Sequence, residues 1–140
     1  MSSRFLLRSA AVVTLLMAVG HLLGSPWTAA NTPQGHQVVD AMRAYRFGVL
    51  GLERSYYDFY VGFGWVLGAY LVGHTILFWQ IAGLSIPPAA TLRPVVVVLC
   101  IEALCATLLG WAFLFWVPVA FSGLTAVCLG AAWIQMRRMK

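Results

Sequence analysis

The sequence predicts an all-α membrane protein: a bundle of four transmembrane helices, with a short amphipathic interfacial helix between the first two. Three observations carry this. The 140 residues are 61% hydrophobic and only 9% charged, whereas soluble domains run at about 45–50% apolar and about 25% charged. Mean hydropathy is +0.85. The apolar residues are gathered into long runs, and a bilayer core needs about 20 such residues per helix. The chain has room for about four spans and no separate soluble domain, so residues 1–140 read as a single membrane domain.

The first span is "FLLRSAAVVTLLMAVGHLLG", residues 5–24. Arg8 lies near its start and can reach the headgroups by laying its stem along the helix. A signal peptide is the competing reading, because Arg4 and Arg8 precede an apolar core and "TAA" ends at Ala30. The run is long for such a core, and "SPW" interrupts the approach to the cleavage point. A retained helix is the expectation.

Residues 25–58 form the one sizeable segment outside the membrane. Pro26, Asn31, Pro33 and Gly35 make its first part loop-like. Its second part, "HQVVDAMRAYRFGVLGLERS", has Val38, Met42, Tyr45, Val49 and Leu52 at helical spacing, with Asp40, Arg43 and Arg46 on other faces. That pattern predicts an amphipathic helix on the membrane surface, loosened by Gly48 and Gly51. The second span follows at 59–83. Pro87 and Pro88 break the chain across 84–94. From Val95 to Ile134 the chain is apolar throughout, too long for one span, and Trp116 and Pro118 divide it into helices near 95–115 and 118–136. Tryptophan at a span end suits the interface.

Basic residues set the expected orientation. The side of the termini carries Arg4, Arg8, Arg93, Arg137, Arg138 and Lys140, against Arg43, Arg46 and Arg54 on the other. Both termini are therefore expected on the cytoplasmic side. The net charge of +5 serves that purpose and does not suggest nucleic acid. Cys100, Cys105 and Cys128 lie inside apolar runs without a CxxC, which fits packing thiols and argues against a disulfide framework.

Polar residues within spans are the default functional candidates, since each costs free energy to bury. His74 lies roughly 12 Å and Glu102 roughly 11 Å from the cytoplasmic ends of their helices at 1.5 Å per residue. They are level, so a candidate inner pair His74–Glu102 follows, either a structural clasp or a proton-handling or ligand-binding pair. At the opposite end, His21 is expected beside Arg54 and Asp58, which are four apart and would share a helix face. His21, Arg54 and Asp58 form a candidate outer polar cluster. The alternative is that Arg54, Asp58 and the tyrosines merely anchor helix two at the interface. Two GxxxG patterns, Gly20–Gly24 and Gly64–Gly68, predict that helices one and two cross closely in their outer halves.

No cofactor is expected. His21 and His74 sit at opposite depths, so they cannot share one haem, and a zinc site of His21, His36 and Asp58 has no ligand spacing. Catalytic signatures such as GxSxG, HExxH or a phosphate-binding loop are missing from the sequence.

"GHLLG" closing helix one, with "ERSYYDFYVGFG" opening helix two, resembles small bacterial four-helix inner-membrane proteins of uncharacterised or DoxX-like type. The resemblance implies a bacterial cytoplasmic membrane and a four-helix bundle, and carries over no catalytic residue. Two function classes follow. The first is a non-enzymatic component that sits in the lipid bilayer and binds a lipid or quinone-like molecule or other membrane subunits. The second is a membrane enzyme or proton-coupled carrier using the His/Glu pair or the outer cluster. The first is preferred, and a lone channel or transporter is disfavoured because four short helices leave little room for a polar path.

Overall fold

The computed structural model describes residues 2–24, 31–84 and 89–138. Pro26, the "TAA" at 28–30, the Pro87–Pro88 break and Lys140 lie outside the described residues. In chain order the elements are α1 (Ser3–Gly24), α2 (Pro33–Ala44), β1 (Arg46–Val49), β2 (Leu52–Ser55), α3 (Tyr56–Gly83), α4 (Ala89–Phe113) and α5 (Trp116–Arg138). Four of them, α1, α3, α4 and α5, are long and apolar enough to cross a membrane. The chain is thus a predominantly helical, multi-pass membrane protein, and it divides into two compact units.

The helical unit comprises residues 1–19 and 71–140. One core joins segments of all four long helices: Leu6, Leu7, Ala10 and Ala11 from α1, Phe78, Ile81 and Ala82 from α3, Val96 and Leu99 from α4, and Cys128, Leu129, Ala132 and Met136 from α5. Without a hydrophobic drive between helices in lipid, close approach and packing must hold such a core, and its alanines and Cys128 supply the close approach. α4 and α5 make the longest contact. Val119 packs 3.3 Å from where a Cβ on Gly110 would stand, and Gly123 and Gly130 lie against Thr107 and Cys100. Thr107 Oγ1 donates to Ser122 Oγ at 3.0 Å, Thr14 and Thr125 hydroxyls meet at 3.4 Å, and Cys100 Sγ donates to the Ala126 carbonyl at 3.5 Å. Arginines finish the helix ends. Arg93 donates from Nε to the Met136 carbonyl at 3.0 Å and from Nη2 to the same oxygen, one of the carbonyls that the last turn of α5 leaves without a helical donor. Arg8 lies over the Trp79 ring and Arg137 over Trp133.

α4 begins earlier than position 95 and carries Pro94 inside it. Pro94 is the sixth residue of α4, past the first turn, and having no N–H it leaves the carbonyl four residues before it without its helical donor. The turn between α4 and α5 is tight, with Leu114 N donating to the Gly110 carbonyl at 2.9 Å.

The hairpin unit is residues 20–70. Pro33, expected in a loop, is instead the first residue of α2, where a preset φ and a missing N–H suit a helix start. Thr32 caps it by accepting from Gly35 N at 3.0 Å. The amphipathic helix expected to run on to Ser55 ends at Ala44. The rest is an antiparallel hairpin, Arg46 opposite Ser55 and Val49 opposite Leu52. Its loop is Leu50–Gly51, with φ of 50° and 82°. Positive φ at both central residues is the turn that matches strand twist. Arg46 pairs with Glu53 at 3.6 Å. An aromatic ladder runs from the hairpin along α3, in which Tyr45 stacks on Tyr56, Phe47 on Phe59, and Phe59 meets Phe63.

Candidate functional site

The start of α3 explains Asp58. Ser55, the last residue of β2, stands just before the helix, and its hydroxyl accepts from Asp58 N at 3.2 Å. Asp58 Oδ2 reaches back to accept from Ser55 N at 2.8 Å and Ser55 Oγ at 3.0 Å. This is a reciprocal capping box, which satisfies two backbone donors that a helix start leaves open. The predicted grouping of His21, Arg54 and Asp58 takes a different form. Arg54 belongs to β2, so the helical spacing that put it on Asp58's face does not apply. It donates from Nη1 to the Glu53 carbonyl at 2.9 Å. His21 Nε2 sits 2.8 Å from the Gly64 carbonyl, six residues and about 9 Å further along α3 than Asp58. Asp58→Ala is expected to lower the unfolding midpoint in detergent through the lost capping box, with Asp58→Glu restoring part of it.

The glycines divide in the same way. A Cβ on Gly68 would stand 2.7 Å from Leu22 Cδ2 and 3.7 Å from His21 Cδ2, while Gly20 and Gly24 have nothing within 4 Å. Within the hairpin unit, close approach therefore rests on Gly68 of the second pattern. The first pattern contributes no contact of that kind. Gly64 is buried and offers its carbonyl to His21.

Arg54 and Asp58 nevertheless share a site. They line an open groove together with Phe59, Gly62, Phe63 and Val66. Asp58, Gly62 and Val66 follow at four-residue intervals along one face of α3. Two opposite charges thus share a groove with aromatic and aliphatic surface. Both hydrogen bonds to Asp58 fall on Oδ2, which leaves Oδ1 for a ligand.

In the helical unit, His74 Nε2 lies 3.1 Å from Glu102 Oε2. The imidazole is three-quarters covered and touches the Phe78 ring, whereas the Glu102 side chain is 55% exposed. The pair sits on the surface of the helices, level along α3 and α4, and its carboxyl faces outward. His36 lies on α2, and among the described residues no three His, Cys, Asp or Glu side chains converge as metal ligands.

Two features escaped the sequence reading. The groove depends on the hairpin that ends next to α3, and a Leu–Gly loop gives little notice of it. The capping box was visible as "SYYD", residues 55–58. Compared with known proteins, the chain matches no family model, no curated protein and no solved structure.

Proposed function

We propose that this chain is a non-enzymatic membrane component that binds a lipid along the first turns of α3. The observation that carries the reading is the open groove lined by Arg54 and Asp58 together with Phe59, Gly62, Phe63 and Val66. Apolar walls with a few converging polar groups are the usual form of a small-molecule site. A guanidinium takes a phosphate by charge-assisted hydrogen bonds, and a carboxylate a short distance away takes an ammonium. A zwitterionic headgroup such as that of phosphatidylethanolamine offers both charges on adjacent atoms, with an acyl chain to lie in the groove. A quinone-like ring would leave the two charges unused.

The experiment is native mass spectrometry of the full chain extracted in its own lipids. A retained phosphatidylethanolamine adduct is expected. Arg54→Ala should reduce its occupancy about tenfold, the equivalent of one charge-assisted bond. Gly62→Leu should abolish it, because nothing lies within 4 Å of the missing Cβ and the new side chain would fill the groove without disturbing the fold. Equal occupancy in wild type and both variants would sink the reading.

This reading places the protein in a bacterial cytoplasmic membrane, as its resemblance to DoxX-like proteins implies, with both termini inside. The support is the clustering of Arg4, Arg8, Arg93, Arg137 and Arg138 at one set of helix ends. In intact cells, a membrane-impermeant maleimide is expected to label His36→Cys and to spare Arg137→Cys until the cells are opened. The reverse pattern would invert the topology.

A further inference from the structure

Among the described residues, Glu102 is the one acidic residue deep within a helix long and apolar enough to span a membrane. It follows Ala89 by 13 positions and precedes Phe113 by 11, about 20 Å and 16 Å along the axis, so it lies near mid-membrane. Around it on the same face of α4 are Val98, Ile101, Cys105 and Leu109, all exposed. A glutamate side chain has two methylenes and cannot snorkel from that depth as a lysine or arginine can. An acidic residue held ionised at a helix centre costs about 2.5–3.5 kcal/mol on insertion scales.

The neighbouring groups do not offset that cost with a permanent positive charge. Three arginines of the helical unit are engaged near helix ends, Arg8 over Trp79, Arg93 on the Met136 carbonyl and Arg137 over Trp133, and Arg4 and Arg138 lie in the outermost turns of α1 and α5. From α3 the titratable group that meets the carboxyl is His74. On α4 itself, Cys100 donates to Ala126 and Cys105 lies one turn on. From α5 the titratable group is Cys128, buried in the core. Electrical neutrality in hydrocarbon then requires the His74–Glu102 pair to hold one proton more than a carboxylate beside a neutral imidazole would. We propose that Glu102, held by His74, is a proton-binding site that opens directly onto the lipid. The half-exposed carboxyl marks the side from which the proton is reached, and the 3.1 Å bond to His74 Nε2 gives that proton a second position within the pair. This site lies in the helical unit and does not depend on the lipid groove of the hairpin unit.

The test uses the full chain in phosphatidylcholine liposomes and two carbodiimides, one hydrophobic (dicyclohexylcarbodiimide) and one water-soluble. A protonated carboxyl gives its proton to one carbodiimide nitrogen and adds its oxygen to the central carbon. The acyl group then migrates to nitrogen, and no atom leaves. Peptide mapping by mass spectrometry is expected to find Glu102 modified by the hydrophobic reagent and spared by the soluble one, with Glu102→Gln unmodified. No modification by the hydrophobic reagent at any pH at which the protein stays folded would overturn the proposal. Preferential modification by the soluble reagent would overturn it too, by placing the carboxyl in water. So would protection in liposomes that disappears on dilution into detergent, which would mean that a second copy of the chain covers this face.

Discussion

Ala132→Leu is expected to destabilise the protein by about 2 kcal/mol, with the unfolding midpoint in mixed micelles as the measurement. Ala132 is fully buried on α5, inside the cluster that joins Leu6, Leu7, Ala10 and Ala11 of α1 to Phe78, Ile81 and Ala82 of α3. In lipid, a helix leaving its partners finds hydrocarbon in place of water, so burial of apolar area contributes little and packing must carry the association. Three added carbons at such a point force neighbouring side chains off their rotamers or the helices apart, at about 1–3 kcal/mol. Val127→Leu enlarges a side chain of the same helix that is 67% exposed, and it should change stability by less than about 0.5 kcal/mol. Equal effects of the two variants would mean that α5 does not pack as the core describes.

The part of the fold that could be read from the sequence is the part governed by apolar length. Runs of about 20 residues with few charges have one economical use, and all four spans lie where those runs lie. The short helix before α3 could be read only in part. Val38 and Met42 do belong to a helix, but Tyr45, Val49 and Leu52 keep that spacing while the chain has become a hairpin. Over ten residues a period of 3.6 and a period of 2 share too many positions to be separated. Gly51 does not loosen a helix but supplies the positive φ of a two-residue loop.

The same ambiguity governed the sites. His74 and Glu102 were matched by counting along two helices joined by a short segment, and arithmetic at 1.5 Å per residue is dependable there. The grouping of His21, Arg54 and Asp58 applies the same arithmetic across the boundary where β2 gives way to α3, and Arg54, a strand residue, has no helix face to share with Asp58. Ser55 and Asp58 have the spacing of a capping box, but a cap has meaning only at a helix start, and the helical spacing of Tyr45, Val49 and Leu52 hides the start at Tyr56. Of the two GxxxG patterns, the sequence could not say which glycine meets a neighbour. Gly68 does, while the closest approach of α4 to α5 uses Gly110, Gly123 and Gly130, outside any GxxxG repeat.

His74→Leu is expected to cost about 1–3 kcal/mol, and the double change His74→Leu with Glu102→Leu to recover most of it. The asymmetry follows from what each variant leaves behind. With the imidazole gone, the Glu102 carboxyl remains near mid-membrane without the group that meets it at 3.1 Å, and a polar group stripped of its partner in an apolar setting costs about 1–3 kcal/mol. Removing both partners leaves two apolar surfaces of similar shape, which is often neutral or stabilising for a buried pair. The interaction energy from the four-way cycle should fall within the range of about 0.6–1.7 kcal/mol found for polar contacts between membrane helices. Unfolding midpoints in mixed micelles at fixed pH measure all four proteins. A double variant that loses as much as the sum of its singles would show that the contact contributes nothing, and the outward-facing carboxyl would then be held by the surroundings of α4 alone.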